Sequence, residues 1–206
     1  CQQLEELYPG RFRIHTDRSG FDYIYDIQDL AGLAGRKYQK KRNHVNSFTK
    51  QFPDWTVLPI DRCDPKQVEG LVSRWYEDRL AEDPDQDFRL EQAALKKALR
   101  DRKELGMEGM VLIAGGEYVA MTLASRLSED TFDVHFEKAL SRDNGAYAVI
   151  NREFARYLME AYPEVRWLNR EDDLGIEGLR QAKLSYLPAR MGEKYWTCLL
   201  EDCYEY

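Results

Sequence analysis

The chain has 206 residues and a formal net charge of −7, from 30 Lys and Arg against 37 Asp and Glu. That length gives room for one large domain or two small ones with a substantial core, and 12% aromatic residues exclude a disordered chain. The acidity excludes a general nucleic-acid coat, whose affinity rests on neutralising phosphates, and no apolar run approaches the roughly 18 residues of a membrane helix.

A short extended run at 11–15 comes first. Residues 26–50 read as one long helical stretch, loosened by Gly32 and Gly35 and ended by Pro53. Residues 55–60 read as a strand, and Pro59 predicts an edge or a strand end because proline cannot donate to the ladder. Asp64-Pro65 is a helix start, with Asp at the N-cap and Pro at the first helical position. Val68, Leu71, Val72, Trp75 and Leu80 then recur at helical spacing. A second helix spans 88–105, with Leu95 and Leu99 in its stripe. The period changes at 110–114, a strand closed by Gly115-Gly116, where a hairpin needs positive φ. Strands at 117–125 and 131–138 follow. A helix at 147–161 carries Ile150, Phe154, Leu158 and Ala161 as its stripe. A strand at 165–169, a helix at 175–184 and a strand at 195–200 complete the pattern.

From Trp55 onward the order β-α-α-β-β-β-α-β-α-β predicts an α/β (α+β) sheet with antiparallel runs, covered by helices on both faces. Residues 55–206 form that domain. Residues 1–54 do not complete a domain alone and read as the tail of an upstream unit plus a connecting basic helix. The start at Cys1 rather than Met reads as a cut or processed end. Cys1, Cys63, Cys198 and Cys203 form no C-x-x-C pair, so reduced thiols of a cytoplasmic protein, without metal, are expected.

The strand at 131–138 is the most informative. Alternation sends Thr131, Asp133, His135 and Glu137 to one face and Phe132, Val134 and Phe136 to the other. A half-exposed strand with a solvated polar face carries the same pattern. Helices on both faces would instead make the polar row line a cleft, with His135 and Glu137 as candidate acid or base. Arg142, Asn144, Gly145 and Tyr147 follow in R-D-N-G-A-Y, before a helix whose first N–H groups attract anions. An ordinary Asn-Gly turn is the alternative there. Asn169 and Arg170 end the 165–169 strand, where ligands bind in open α/β sheets, while Asp172 and Asp173 read as a charged loop and N-cap. Arg180 and Lys183 share a helix face and are candidates to hold a phosphate or carboxylate, against a merely solvated basic face. Arg36, Lys37, Lys40, Lys41, Arg42 and Lys50 form a basic run without an acidic residue. Lys37, Lys40, Lys41 and His44 have i, i+3, i+4, i+7 spacing. They make either a surface for RNA or anionic headgroups, or a solvated helix face.

Four blocks are Y-D-I-Q-D-L-A-G-L-A-G-R-K-Y-Q-K-K-R-N-H (25–44), H-F-E-K-A (135–139), N-G-A-Y (144–147) and N-R-E-D-D-L-G-I-E-G-L-R-Q-A-K-L-S-Y-L-P (169–188). Together they resemble bacterial uncharacterised proteins related to the C-terminal domain of phosphatidylglycerol lysyltransferase, over nearly the whole chain. The resemblance implies a tandem GNAT-like acyltransferase fold, with a mixed, mainly antiparallel sheet and with 1–54 the last part of an upstream GNAT-like half. It implies transfer of an acyl or aminoacyl group to an amine or hydroxyl, from acyl-CoA or aminoacyl-tRNA. Tyr186 joins the candidate donor- or substrate-binding residues through the last block. In the GNAT acyl-CoA loop pattern R/Q-x-x-G-x-G/A only Arg142 and Gly145 match, and Tyr147 replaces a small residue. Weak or no acetyl-CoA binding is therefore expected. The alternatives are a non-catalytic module gripping tRNA or another polyanion through Arg36, Lys37, Lys40 and Lys41, and an acetyl-CoA-dependent N-acetyltransferase.

Overall fold

The computed structural model describes residues 1–140 and 145–200. In chain order the elements are α1 (Gln2–Leu7), β1 (Phe12–His15), β2 (Asp22–Asp26), α2 (Ile27–Gly32), α3 (Gln39–Gln51), β3 (Thr56–Pro59), α4 (Pro65–Glu82) and α5 (Arg89–Asp101). They continue with β4 (Met107–Ala114), β5 (Glu117–Ser128), β6 (Thr131–Ala139), α6 (Ala146–Ala161), β7 (Trp167–Asn169), α7 (Glu177–Leu184), β8 (Arg190–Gly192) and β9 (Trp196–Leu199). They divide into a larger unit, residues 25–169, and a smaller one made of residues 1–24 and the chain from Arg170 onward.

In the larger unit the strands lie in the order β3-β4-β5-β6-β7. The first four are antiparallel, and β7 joins β6 in parallel. Gly115 (φ +57°) and Gly116 (φ +76°) form the β4–β5 hairpin in the left-handed conformation that its turn demands. Pro59 ends β3 as the sequence predicts.

The sheet is covered on both faces. Val111, Met121 and Leu123 share one core with Val68, Leu71, Val72, Trp75 and Tyr76 of α4 and with Leu95 and Ala98 of α5. On the opposite face Glu108 of β4 accepts hydrogen bonds from Tyr157 (2.6 Å) and Tyr162 near the end of α6. Behind α6, Arg156 donates to the Ala31 carbonyl of α2 at 3.0 Å. Asp64 caps α4 by accepting from the Lys66 amide at 2.9 Å. Leu80, expected in the α4 stripe, is exposed, and Tyr76, one turn beyond Val72, is buried instead.

The single helix expected at 26–50 is broken. Asp26 ends β2 and caps α2, accepting from the Gln28 amide. Leu33 (φ +47°) and Gly35 (φ +80°) turn left-handed, which no continuous helix allows. A 3-10 turn at Arg36–Tyr38 then leads into α3.

In the smaller unit β1 pairs antiparallel with β9, and β2 pairs antiparallel with β8 through Asp22↔Gly192 and Ile24↔Arg190. Neither β2 nor β8 was expected, since their three to five residues carry too little alternation to register. Cys1 and Cys63 are free thiols. Cys198 is disulfide-bonded, which corrects the expectation of reduced thiols throughout; a pairing outside C-x-x-C spacing has no motif to reveal it.

Candidate functional site

The polar row of β6 is divided by one residue. Ala124 of β5 stands opposite Val134, and Leu123, the next residue back, stands opposite Phe136. His135 is thus the extra residue of a β-bulge, and alternation reverses across it. Phe132 packs against Tyr162 on the α6 side, with ring centroids 5.1 Å apart. Phe136 has the same parity, yet it packs into the α4–α5 core. The expectation that Thr131, Asp133, His135 and Glu137 share one face is therefore corrected. Glu137 lies opposite Thr122, and its Oε2 accepts a 3.2 Å hydrogen bond from Asn151 Nδ2 of α6. His135 Nε2 instead lies 2.7 Å from Ser125 Oγ. Thr122 Oγ1 and Asn151 Oδ1 are buried and make no hydrogen bond, so polar capacity remains beside Glu137.

β6 outruns its parallel neighbour. Pairing with β7 covers Thr131–Asp133 against Trp167–Asn169. Among the described residues, no β7 pairing continues along β6 to its end at Ala139. The half-buried His135 and Glu137 belong to the stretch of β6 beyond that pairing. A carboxylate and an imidazole beside such a notch can accept a proton from an incoming nucleophile.

The start of α6 closes one end of that stretch. A Cβ at Gly145 (φ +100°) would stand 2.4 Å from the His44 carbonyl oxygen and 3.1 Å from Phe48 Cβ, so the approach of α3 requires glycine there. Tyr147 accepts a 3.1 Å hydrogen bond from Trp75 Nε1 of α4, and burial pushes its phenol pKa up. Arg142 and Asn144 lie outside the described residues.

In the smaller unit the expected cations share a face of α7, and both are engaged. Asp173 is fully buried. It accepts from Arg180 Nε at 2.9 Å and Nη2 at 3.0 Å, from the Tyr23 hydroxyl at 2.6 Å and from the Gly175 amide at 2.9 Å. Arg18 adds an ion pair at 3.3 Å. The Arg180 guanidinium holds the Asp173 carboxyl well below the usual carboxylate range. Asp173 is therefore a buried hub rather than the expected surface loop residue or cap. Lys183 donates to the carbonyls of Arg170 and Asp172. The Arg170 guanidinium carbon lies 4.9 Å from the Tyr186 ring centroid. Glu171, Leu174 and Leu187 all have φ between +50° and +55°, so this segment stores backbone strain that its partners must hold. Asn169 is buried at the end of β7.

The basic run is thinner than its composition. Lys37 pairs with Asp29 at 2.8 Å, and Arg42 donates to the carbonyls of Leu33 and Gly35. Lys37 also sits in the 3-10 turn rather than on α3, which breaks the helical face expected with Lys40, Lys41 and His44. Arg36, Lys40 and Lys50 remain exposed.

One buried cation escaped the sequence reading. Lys138 is 5% exposed, pairs with Glu91 of α5 and places its Nζ 3.7 Å from the Trp75 ring centroid. Burial lowers its pKa. Its signal was present: Lys138 continues the parity of Phe132, Val134 and Phe136.

The sequence matches the family "Phosphatidylglycerol lysyltransferase, C-terminal" over residues 1–198. It is similar to a conserved protein of unknown function from Bacteroides thetaiotaomicron, at 41% identity and a TM-score of 0.86, covering 96% of this chain and 66% of that one. The L-PGS structure from Bacillus licheniformis is 16% identical at a TM-score of 0.63, over 98% of this chain and 65% of that one. A tandem GNAT protein from the clavulanic acid biosynthesis pathway is 9% identical at a TM-score of 0.53, over 90% and 55%. At those identities the last two show the fold alone. The chain thus spans 55–66% of the length of these three proteins. Among the described residues no helix is long and apolar enough to cross a membrane. The chain belongs to the phosphatidylglycerol lysyltransferase C-terminal family, and its fold is GNAT-like.

Proposed function

We propose that this chain transfers an acyl or aminoacyl group to an amine or hydroxyl acceptor, with the stretch of β6 beyond β7 as its reaction site. The observation that carries the reading is the placement of Glu137. It lies on the unpaired part of β6, held by Asn151 and flanked by buried polar atoms without partners. In this reading Glu137 accepts the proton of the attacking amine or hydroxyl as its lone pair adds to the donor carbonyl. Collapse of the tetrahedral intermediate breaks the bond to the donor's sulfur or ribose oxygen, and that leaving group takes the proton back. Amide groups at the start of α6, near Gly145, polarise the carbonyl. His135, tied to Ser125, orients the site from the other face.

Family membership favours an aminoacyl-tRNA donor, and Tyr147, half-buried and hydrogen-bonded to Trp75, favours it over acyl-CoA. Arg36 and Lys40 are the exposed basic side chains offered to such a donor. The site residues of the smaller unit, Arg170, Arg180, Lys183 and Tyr186, support the strained segment around Glu171. We read residues 1–54 as the last part of a preceding GNAT-like half.

The test is a transfer assay on the whole protein. Labelled aminoacyl-tRNA and labelled acetyl-CoA are offered in parallel with an amine acceptor. Turnover with the tRNA donor, reduced roughly 10²–10⁴-fold in Glu137→Gln with its melting temperature retained, is expected. Turnover that survives Glu137→Gln unchanged, or none with either donor, overturns the reading.

A further inference from the structure

We propose that Ser125, His135 and Asp133 form a second catalytic centre, in which the serine takes an acyl group from a carboxylic ester and passes it to water. The centre lies on the face of the sheet opposite Glu137, and the proposal stands whether or not Glu137 carries out transfer.

Strand pairing brings the three side chains together. Ser125 of β5 stands directly opposite Asp133 of β6. His135, two residues further along β6, keeps the side of Asp133 because side chains alternate, which makes it the diagonal neighbour of Ser125. The bulge takes His135 out of register with β5, and its ring turns back along the strand, with Nε2 2.7 Å from Ser125 Oγ.

Two features separate this pair from a polar tie between strands. Ser125 and His135 are both half-buried, so the hydroxyl and the imidazole are within reach of a substrate. An Asp133 carboxylate oxygen also lies within 4.8 Å of an imidazole nitrogen. A negative charge at that range stabilises the imidazolium that forms when the base takes a proton. A hydroxyl in contact with a base, and the base beside a counter-charge, is the arrangement that activates a serine.

Hydrogen-bond roles then set the chemistry. Ser125 Oγ donates to Nε2 when His135 is neutral and carries its proton on Nδ1. The Oγ lone pair adds to the ester carbonyl carbon while the Oγ proton passes to Nε2. The tetrahedral species collapses, the bond from carbon to the alcohol oxygen breaks, and the alcohol leaves with the Nε2 proton. Water reverses the sequence: it gives a proton to Nε2, its oxygen bonds to the acyl carbon, and Oγ departs with that proton. The sum is ester and water giving acid and alcohol. An ester fits the centre because its leaving oxygen needs the single proton that the imidazole holds.

The test treats the whole protein with an alkyl fluorophosphonate, which forms an Oγ–P bond on an activated serine and releases fluoride, and separately with p-nitrophenyl acetate. Mass spectrometry is expected to find the phosphonyl group on Ser125, and acetate release is expected to exceed one equivalent of protein. Ser125→Ala and His135→Gln should each lower hydrolysis about 10²-fold or more with the melting temperature retained. Gln keeps a hydrogen-bonding group beside Ser125 but cannot carry the proton, so a tie between strands alone would survive it. Asp133→Asn should lower hydrolysis about 10-fold. Ser73→Ala, on α4, should change nothing. A protein left unlabelled at Ser125, or hydrolysis equal to the parent's in Ser125→Ala or His135→Gln, overturns the proposal.

Discussion

Glu137 and Asn151 meet at 3.2 Å across the layer between β6 and α6, two residues past the extra residue of the strand. Asn151 is 2% exposed, and its Oδ1 already lacks a partner, so this amide contributes little to the stability of its own surroundings. Its role in the proposed reaction is to position Glu137. Asn151→Leu should therefore leave stability within about 1 kcal/mol of the parent. It should lower kcat with KM nearly unchanged, as loss of an interaction that matters in the transition state does. Equal losses in kcat and in thermal stability would make Asn151 a structural residue only.

The Asp173 hub predicts an acid-labile smaller unit. Its carboxyl is held below the usual range by Arg180, so the unfolded chain binds more protons than the folded one as pH falls. The sign follows: the contribution is full above about pH 4 and is lost on acidification through the lower folded value. Melts should be flat from neutral pH to about pH 4 and fall steeply below it. Asp173→Asn should remove that acid slope and lower the melting temperature at pH 7. Tyr23→Phe removes a 2.6 Å hydrogen bond to a buried charge and should cost about 1.5–3 kcal/mol. An Arg180→Ala protein that melts normally but loses transfer would return Arg180 to a binding role.

Lys138 and Glu91 should respond asymmetrically. Lys138 is 7% exposed at its side chain, whereas Glu91 is 40% exposed. Glu91→Ala strands a buried ammonium and should cost about 3 kcal/mol in urea unfolding. Lys138→Met leaves a carboxylate that water can solvate and should cost about 1 kcal/mol or less. The reverse order would mean that the contact of Lys138 with Trp75 of α4, not its ion pair with Glu91 of α5, is what stabilises the sheet face.

Gly145→Ala combines φ of +100° with a Cβ 2.4 Å from the His44 carbonyl. It should cost more than about 2 kcal/mol. Gly178→Ala on α7, where nothing lies within 4 Å of the added carbon, should be neutral or slightly stabilising.

Legibility in the sequence followed signal length. The α4 start, the Gly115-Gly116 hairpin, α6 and the order of β3 to β7 were readable, because each rests on several residues in one period or on turn chemistry with one solution. The break in the 26–50 stretch was not, since Leu33 takes a left-handed conformation that its residue type disfavours and that only tertiary contacts can hold. Glu137 and His135 were readable as candidates. Their separation was not, because a bulge is set by pairing with β5 and leaves no mark in one strand alone. Arg180 and Lys183 were readable as neighbours, but the buried carboxylate between Arg180 and Tyr23 was invisible, since burial is a property of the assembled unit.

The bulge at His135 acts as a half-period phase shift in the strand. Upstream and downstream segments each keep perfect alternation, yet they are out of step by one residue. Pairing with β5 therefore matters more here than the residue itself. Leu123 stays opposite Phe136 and Thr122 opposite Glu137 whether His135 is replaced or removed, so its removal closes β6 into unbroken alternation and leaves Glu137 beneath α6. Keeping the residue but straightening the strand would instead carry Glu137 to the α4–α5 side, so the chemistry of the two faces is written in the register between the strands and not in the side chain at this codon.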